Sequence, residues 1–420
     1  MAELWMRIAA VNSHHARIGG AETYLDTVIP ALAAADHQIA FYSEFDAPPG
    51  APLIRLPDRA PLWCASAMGT RQALAALEQW RPDVIYVHGM YLQSAAPVVE
   101  IAPVVLFAHG YYGTCISGNK MFAAPRPRPC ARRFGLRCFV HYYPHRCGGL
   151  NPMRMLLDYS SQAARLALMR RYAAILTTSD HMRAEFVRHG LSPERVHTLR
   201  PPLAPDRFFQ PPAGAENARV PATADRELRL LFAGRMTGLK GGLIMIDALA
   251  PVASALKRPL RVTFVGDGPD RPRWEQRARR AQTASSNLQI EFTGWLDPSR
   301  LGQLMLDSDL LVVPSTWPEP FGLVGPEAGV HGLPAAAFAV GGIPEWLRDG
   351  VNGRLAPGDP PSAAGLAHAI VECVRDPAEL ARLKNGAREQ ARRYGLQAHI
   401  DALLAIFASV TGVKAAAMAR

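Results

Sequence analysis

Cysteine is scarce, six in 420 residues, too few for a disulfide scaffold. No apolar run reaches the roughly eighteen residues that cross a bilayer, and the opening LWMRIAAVNSHHA turns polar too soon for a secretory signal. The expected compartment is therefore the cytoplasm. No repeat of solenoid period, no CxxC pair and no nucleic-acid module is recognisable, so nucleic acid is not an expected partner. Acid is missing locally: Tyr111 to Leu150 holds no Asp or Glu against seven cations, Lys120, Arg126, Arg128, Arg132, Arg133, Arg137 and Arg146. That segment carries much of the net charge of +10, which favours anionic partners.

What is present points to two packed domains, since 420 residues at 49% hydrophobic exceed one ordinary core. Short apolar runs end repeatedly in Gly, His, Ser or Asn: RIAAVNS, DVIYVHG, PVVLFAHG and AAILTTSD, then LRLLFAG, LRVTFVG, LQIEFTG and DLLVVPS. Such runs, alternating with segments of helical composition, predict an α/β fold with two buried parallel sheets. The stretch from Arg200 to Glu227 is rich in Pro and Ala and reads as a linker. The reading is a first doubly wound (Rossmann-like) domain at 1–204 with a basic insert at 111–150, and a linker at 205–227. A second such domain follows at 228–394, and a helix at 395–420 packs back on the first domain through Leu403, Leu404, Ile406 and Phe407.

In open parallel sheets ligands bind beyond the carboxyl ends of the strands, which directs attention to Gly19, Gly20, His109, Gly234, Gly266 and Glu319. After LRLLFAG, Arg235 and Lys240 flank a turn and Gly241-Gly242 opens a helix, an arrangement suited to a diphosphate. Gly266 and Gly268 would let backbone approach a ligand, and Trp295 and Leu296 could wall a base. Glu319 and Glu327, eight positions apart, have no cation beside them in sequence; carboxylates accept from vicinal hydroxyls of sugar and ribose. Between them Phe321, Gly322 and Leu323 supply backbone N–H groups. The bland alternatives are an ordinary turn with surface cations and a capped helix with an exposed Glu.

These motifs together, with IGGAETYL at Ile18 to Leu25, AHG at 108–110, GDGP, TGWLD and GGIPEWLRDGVNGRL, resemble the retaining nucleotide-sugar glycosyltransferases of the GT-B fold, family four. The resemblance implies Gly20 near the donor phosphates, Gly234 in the donor site, Arg235 and Lys240 on the diphosphate and Glu319 with the amides of 321–323 on the sugar. It further implies Glu327 on the ribose and His109 beside the reacting sugar. It implies a nucleoside-diphosphate sugar donor, a glycan or lipid-linked acceptor and no cofactor required for catalysis, with Arg235, Lys240 and the helix N-terminus meeting the leaving-group charge. An epimerase or hydrolase of the same fold would share this donor pocket. Pro30, expected to interrupt the first helix, departs from the family pattern, as do RPPLAP at 200–205 and Gly325-Pro326.

The insert supplies two further expectations. Its arginines and aromatics fit an acidic or lipid-phosphate acceptor, with peripheral association at the inner, anionic face of a membrane; a solvated basic loop is the alternative. Cys115, Cys130, Cys138 and Cys147 are candidate ligands of a structural zinc, with His141 and His145 as substitutes. Buried thiols and disulfides are the competing accounts.

Overall fold

The computed structural model describes residues 5–90, 92–203 and 226–412. The expected linker lies outside them except for its last two residues. The first sheet is built from β1 (Arg7–His14), β2 (Gln38–Phe45), β3 (Leu62–Cys64), β4 (Val84–Val87) and β5 (Val104–Ala108). After the short antiparallel pair β6 (Met121–Phe122) and β7 (Arg128–Pro129), it is completed by β8 (Ala174–Thr177) and β9 (Val196–Thr198). Its seven strands are all parallel, in the order β3-β2-β1-β4-β5-β8-β9.

The second sheet comprises β10 (Leu228–Ala233), β11 (Leu260–Val265), β12 (Leu288–Gly294), β13 (Leu310–Val313), β14 (Ala335–Phe338) and β15 (Gly353–Ala356). All six are parallel, in the order β12-β11-β10-β13-β14-β15. The α/β class read from the sequence is thus the class observed, with two parallel sheets in separate domains. Of the strands in the two sheets, the sequence reading passes over β2, β3, β9, β14 and β15. In β14, three alanines followed by Phe carry little strand signal of their own, yet all four are buried in the strand that pairs β13 on one side and β15 on the other.

Pro30 does not interrupt the first helix, which runs unbroken over Gly20–Ala34. A proline leaves the carbonyl four residues earlier without its helical partner. Here that carbonyl, Asp26 O, accepts from Arg55 Nη2 at 3.1 Å, and the Asp26 carboxylate accepts from the Arg55 backbone N–H at 2.7 Å. The helix Leu396–Thr411 buries Ile400, Leu403 and Phe407 among Met6, Ile8, Tyr24, Leu25 and Val28 of the first domain.

Among the described residues one helical stretch, Gly238–Leu256, is long and apolar enough by composition to cross a membrane, 19 residues with an 18-residue window at mean hydropathy 1.5. Lys240 and Asp247 hide it from a reading based on unbroken runs. Its Met245, Ile246, Leu249 and Val252 sit in the core of the second domain, which accounts for the apolarity without a bilayer.

Candidate functional site

In the second sheet the strand order reverses between β10 and β13, so the loops leaving these two neighbours diverge and open a crevice. Lys240 follows β10, and Ser315, Thr316, Trp317 and Glu319 follow β13. Two glycines allow the loops to seat this closely. Gly241 has φ +67°, and a Cβ there would lie 1.8 Å from the carbonyl oxygen of Pro314; Gly266, at φ +118°, would meet that of Gly234 at 2.1 Å. The close approach expected of Gly266 is therefore to the protein's own β10 loop.

Glu319 is 3% exposed and is not isolated: the Lys240 ammonium pairs with it, and Ser315 Oγ donates to the same carboxylate oxygen at 2.6 Å. The cation absent from its sequence neighbourhood arrives from 79 residues away. Lys240 Nζ also lies 5.9 Å from the centre of the Trp317 ring. The first domain reaches this point through its insert. Tyr111 sets its ring edge-on to Trp317 at 6.4 Å, and Thr316 Oγ1 lies 3.5 Å from Met121 Sδ. The Tyr111 hydroxyl and Trp317 Nε1 are buried without a hydrogen-bond partner among the described residues.

The other expected donor residues are more dispersed. Arg235 is exposed beside Gly234 and makes no ion pair among the described residues. Phe321 faces the core, its carbonyl accepting from Trp346 Nε1 at 2.7 Å, while Gly322 and Leu323 lead into the short helix Val324–Val330 that carries Glu327 in its first turn. Trp295 is exposed at the end of edge strand β12, while Leu296 packs on the core. Gly20 opens the helix after β1, with open space where a side chain would stand.

In the first domain His109 directly follows β5 and its Nε2 lies 2.9 Å from Nδ1 of His88, which directly follows the adjacent β4. Burial holds the His109 imidazole down to about 3 and His88 well below the ordinary histidine value, the neighbouring histidines adding to the effect on His88. Both rings are neutral at physiological pH. They line a cavity of about 340 Å³ whose walls include Met90, Leu106, Arg165, Met169 and Tyr172. Among the described residues Arg165 is its one cation, and no acid lines it. The sequence reading missed His88, Tyr111, Arg165, Ser315 and Trp317. The strand-end rule that selected His109 in PVVLFAHG selects His88 equally well in DVIYVHG.

A third contact between the domains uses Arg200, within the RPPLAP departure. Its guanidinium bonds Asp180 at 2.7 Å and Glu345 of the second domain at 2.8 Å.

The four insert cysteines line one cavity of about 190 Å³. Burial raises the Cys130 and Cys138 thiols and pushes Cys147 up to about 12, with the other three sulfurs adding to the last shift. All four are free thiols. Among the described residues no group of three or more His, Cys, Asp or Glu is placed to hold a metal ion, so the expected structural zinc finds no ligand set here. His141 borders the cavity, whereas His145 Nδ1 is engaged by the Ala124 carbonyl at 3.0 Å. The insert is held instead by the buried Lys120–Glu185 ion pair and by a hydrogen bond from Phe134 N–H to His189 Nε2 at 2.8 Å.

Comparison with known proteins places the chain in a family. A D-inositol 3-phosphate glycosyltransferase of Catenulispora acidiphila is 35% identical over 226 residues, 53% of this chain and 53% of that protein. The chain thus spans about half the length of that relative. Among solved structures, HepE of Anabaena in complex with UDP and glucose superposes with a TM-score of 0.66 at 19% identity, covering 96% of this chain and 100% of that one. Sucrose-phosphate synthase of Thermosynechococcus elongatus gives a TM-score of 0.69 at 19% identity, covering 97% and 100%. These two likenesses establish the GT-B fold. Residues 18–207 match the family described as Glycosyltransferase Family 4 and residues 227–376 that described as Glycosyl transferases group 1. With both domains matched in this way, the chain belongs to family four of the glycosyltransferases, the group 1 glycosyl transferases.

Proposed function

We propose that the protein moves a glycosyl group from a nucleoside-diphosphate sugar to a hydroxyl of a glycan or lipid-linked acceptor, with retention at the anomeric carbon. The observation that carries the reading is the Lys240–Glu319–Ser315 cluster at the switch point of the second sheet, faced by the insert of the first domain. In the resting protein Lys240 and Glu319 satisfy each other. A bound donor separates these roles: its diphosphate takes Lys240 and Arg235, and its sugar hydroxyls donate to Glu319. The bond from the anomeric carbon to the β-phosphate oxygen then breaks, and the nucleoside diphosphate departs with the electron pair. The acceptor oxygen bonds to that carbon on the same face and passes its proton to the departing phosphate.

UDP is the first nucleotide to try, because the Anabaena neighbour binds it, and a phosphorylated polyol is an acceptor to include, because the inositol-phosphate enzymes are relatives. A thermal-shift panel of UDP-, GDP- and ADP-sugars tests the donor site; a ligand at about 100 times its dissociation constant stabilises by about 2.7 kcal/mol. Product analysis without acceptor separates transfer from epimerisation or hydrolysis. No stabilisation by any nucleotide sugar, and no sugar consumed, would defeat the proposal.

The insert and the helix after it favour a membrane-borne acceptor. Leu136, Val140, Leu150, Met153, Leu156 and Leu157 are each at least half exposed. Exposed Arg126, Arg128, Arg132, Arg133, Arg137, Arg146 and Arg154 accompany them. Apolar side chains interspersed with cations suit the interface of an anionic bilayer. Co-sedimentation with phosphatidylglycerol vesicles, lost in phosphatidylcholine alone and weakened by Leu156→Glu/Leu157→Glu, is the expected outcome. Equal sedimentation with both lipids counts against it.

A further inference from the structure

His88 is used by nothing described so far. It is 7% exposed, packed against Tyr24, Tyr86 and Phe107, with its Nδ1 2.9 Å from His109 Nε2. Its other nitrogen, Nε2, is sealed from solvent and has no partner among the described residues. Each neutral imidazole carries one N–H, so a single proton lies between the two rings and its position fixes both tautomers.

If His109 Nε2 carried that proton, His88 would keep its own on Nε2, leaving a buried donor with no acceptor. If His88 Nδ1 carries it, only a bare lone pair is buried, and orphaned buried N–H groups are the rarer of the two situations. His109 Nε2 then accepts, which places the His109 proton on Nδ1. That nitrogen makes no hydrogen bond among the described residues and is not among the sealed polar atoms, on a residue that lines the cavity.

We propose that His88 is a positioning residue that locks His109 in the Nδ1–H tautomer, so that His109 offers the reacting sugars a hydrogen-bond donor and cannot serve as a base. The inference rests on the transferase reading only for its consequence; the tautomer belongs to the resting protein. It fits a reaction in which the leaving phosphate, and no side chain, takes the acceptor proton.

Long-range proton–nitrogen correlation on the full-length protein labelled with ¹⁵N-histidine reads the tautomer without substrate. A protonated Nδ1 and an unprotonated Nε2 on His109 are expected; the reverse pattern overturns the proposal, whatever the protein transfers. His88→Asn and His88→Asp are nearly isosteric and differ in whether a donor is available to His109. His109 should keep its tautomer in His88→Asn and switch to Nε2–H in His88→Asp. With UDP-glucose as the probe, UDP release should be at least about tenfold slower in His88→Asp than in His88→Asn, at similar KM for the donor, as for other wrong-tautomer histidines. Equal rates in two folded variants would make His88 a packing residue only. If neither the wild type nor the variants turn over UDP-glucose, the donor assignment is at fault and the spectra alone decide the tautomer.

Discussion

His399 ties the C-terminal helix to the first domain and to the end of β9, and its protonation can be used to measure that tie. It is 5% exposed, its Nε2 lies 2.7 Å from the Tyr24 hydroxyl, and its Nδ1 lies 2.8 Å from the Arg200 carbonyl. Burial lowers it to about 4, opposed by the bond to that carbonyl. Above an unfolded value of about 6.5 neither state holds the proton, so stability does not vary with this group. As pH falls below about 6.5 the unfolded chain binds a proton that the folded protein refuses. Stability is lost at about 1.4 kcal/mol per unit until the folded histidine itself titrates. Between pH 7.5 and 5.0 the loss from His399 is therefore about 2 kcal/mol. His109 and His88 shift in the same direction, chiefly by burial that a His399→Gln variant keeps, along with a polar side chain for Tyr24. Urea unfolding of the first-domain transition at the two pH values should show the variant losing about 2 kcal/mol less than wild type. Equal losses would mean that His399 titrates normally and that the helix is not docked as described.

Lys240→Ala and Arg235→Ala should each lower turnover by on the order of a hundredfold at saturating donor, because each removes charge that meets the leaving diphosphate; near-normal rates in both would misplace the phosphate site. Gly241→Ala should destabilise the second domain by roughly 1–3 kcal/mol through backbone strain and the clash with Pro314, seen as a lower thermal midpoint. Phe407→Ala empties a fully buried position and should cost the first domain about 3–5 kcal/mol, although the residue lies after the second domain in sequence; a surface-like effect below about 0.5 kcal/mol would show the helix undocked.

The sequence alone determined what depends on local pattern. Apolar runs ending in Gly, His, Ser or Asn marked the central parallel strands, because a strand buried on both faces has no room for alternation, whereas edge strand β12 alternates exposed with half-buried positions. The carboxyl-end rule selected His109, Gly234, Gly266 and Glu319, since backbone direction places strand ends whatever the packing. Strands such as β14 escaped, because short alanine-rich segments take their conformation from their neighbours. The tertiary structure decided who meets whom. It set Lys240 on Glu319 across 79 residues, gave the Asp26 carbonyl freed by Pro30 to Arg55, and brought Tyr111 to Trp317. It also drew four cysteines around one cavity without making them a ligand set. These pairings depend on strand order and loop approach, which single-residue periodicity does not encode. His88 stands between the two cases: its place at a strand end was legible, but its value lies in one unpartnered nitrogen, and only packing could seal that atom away.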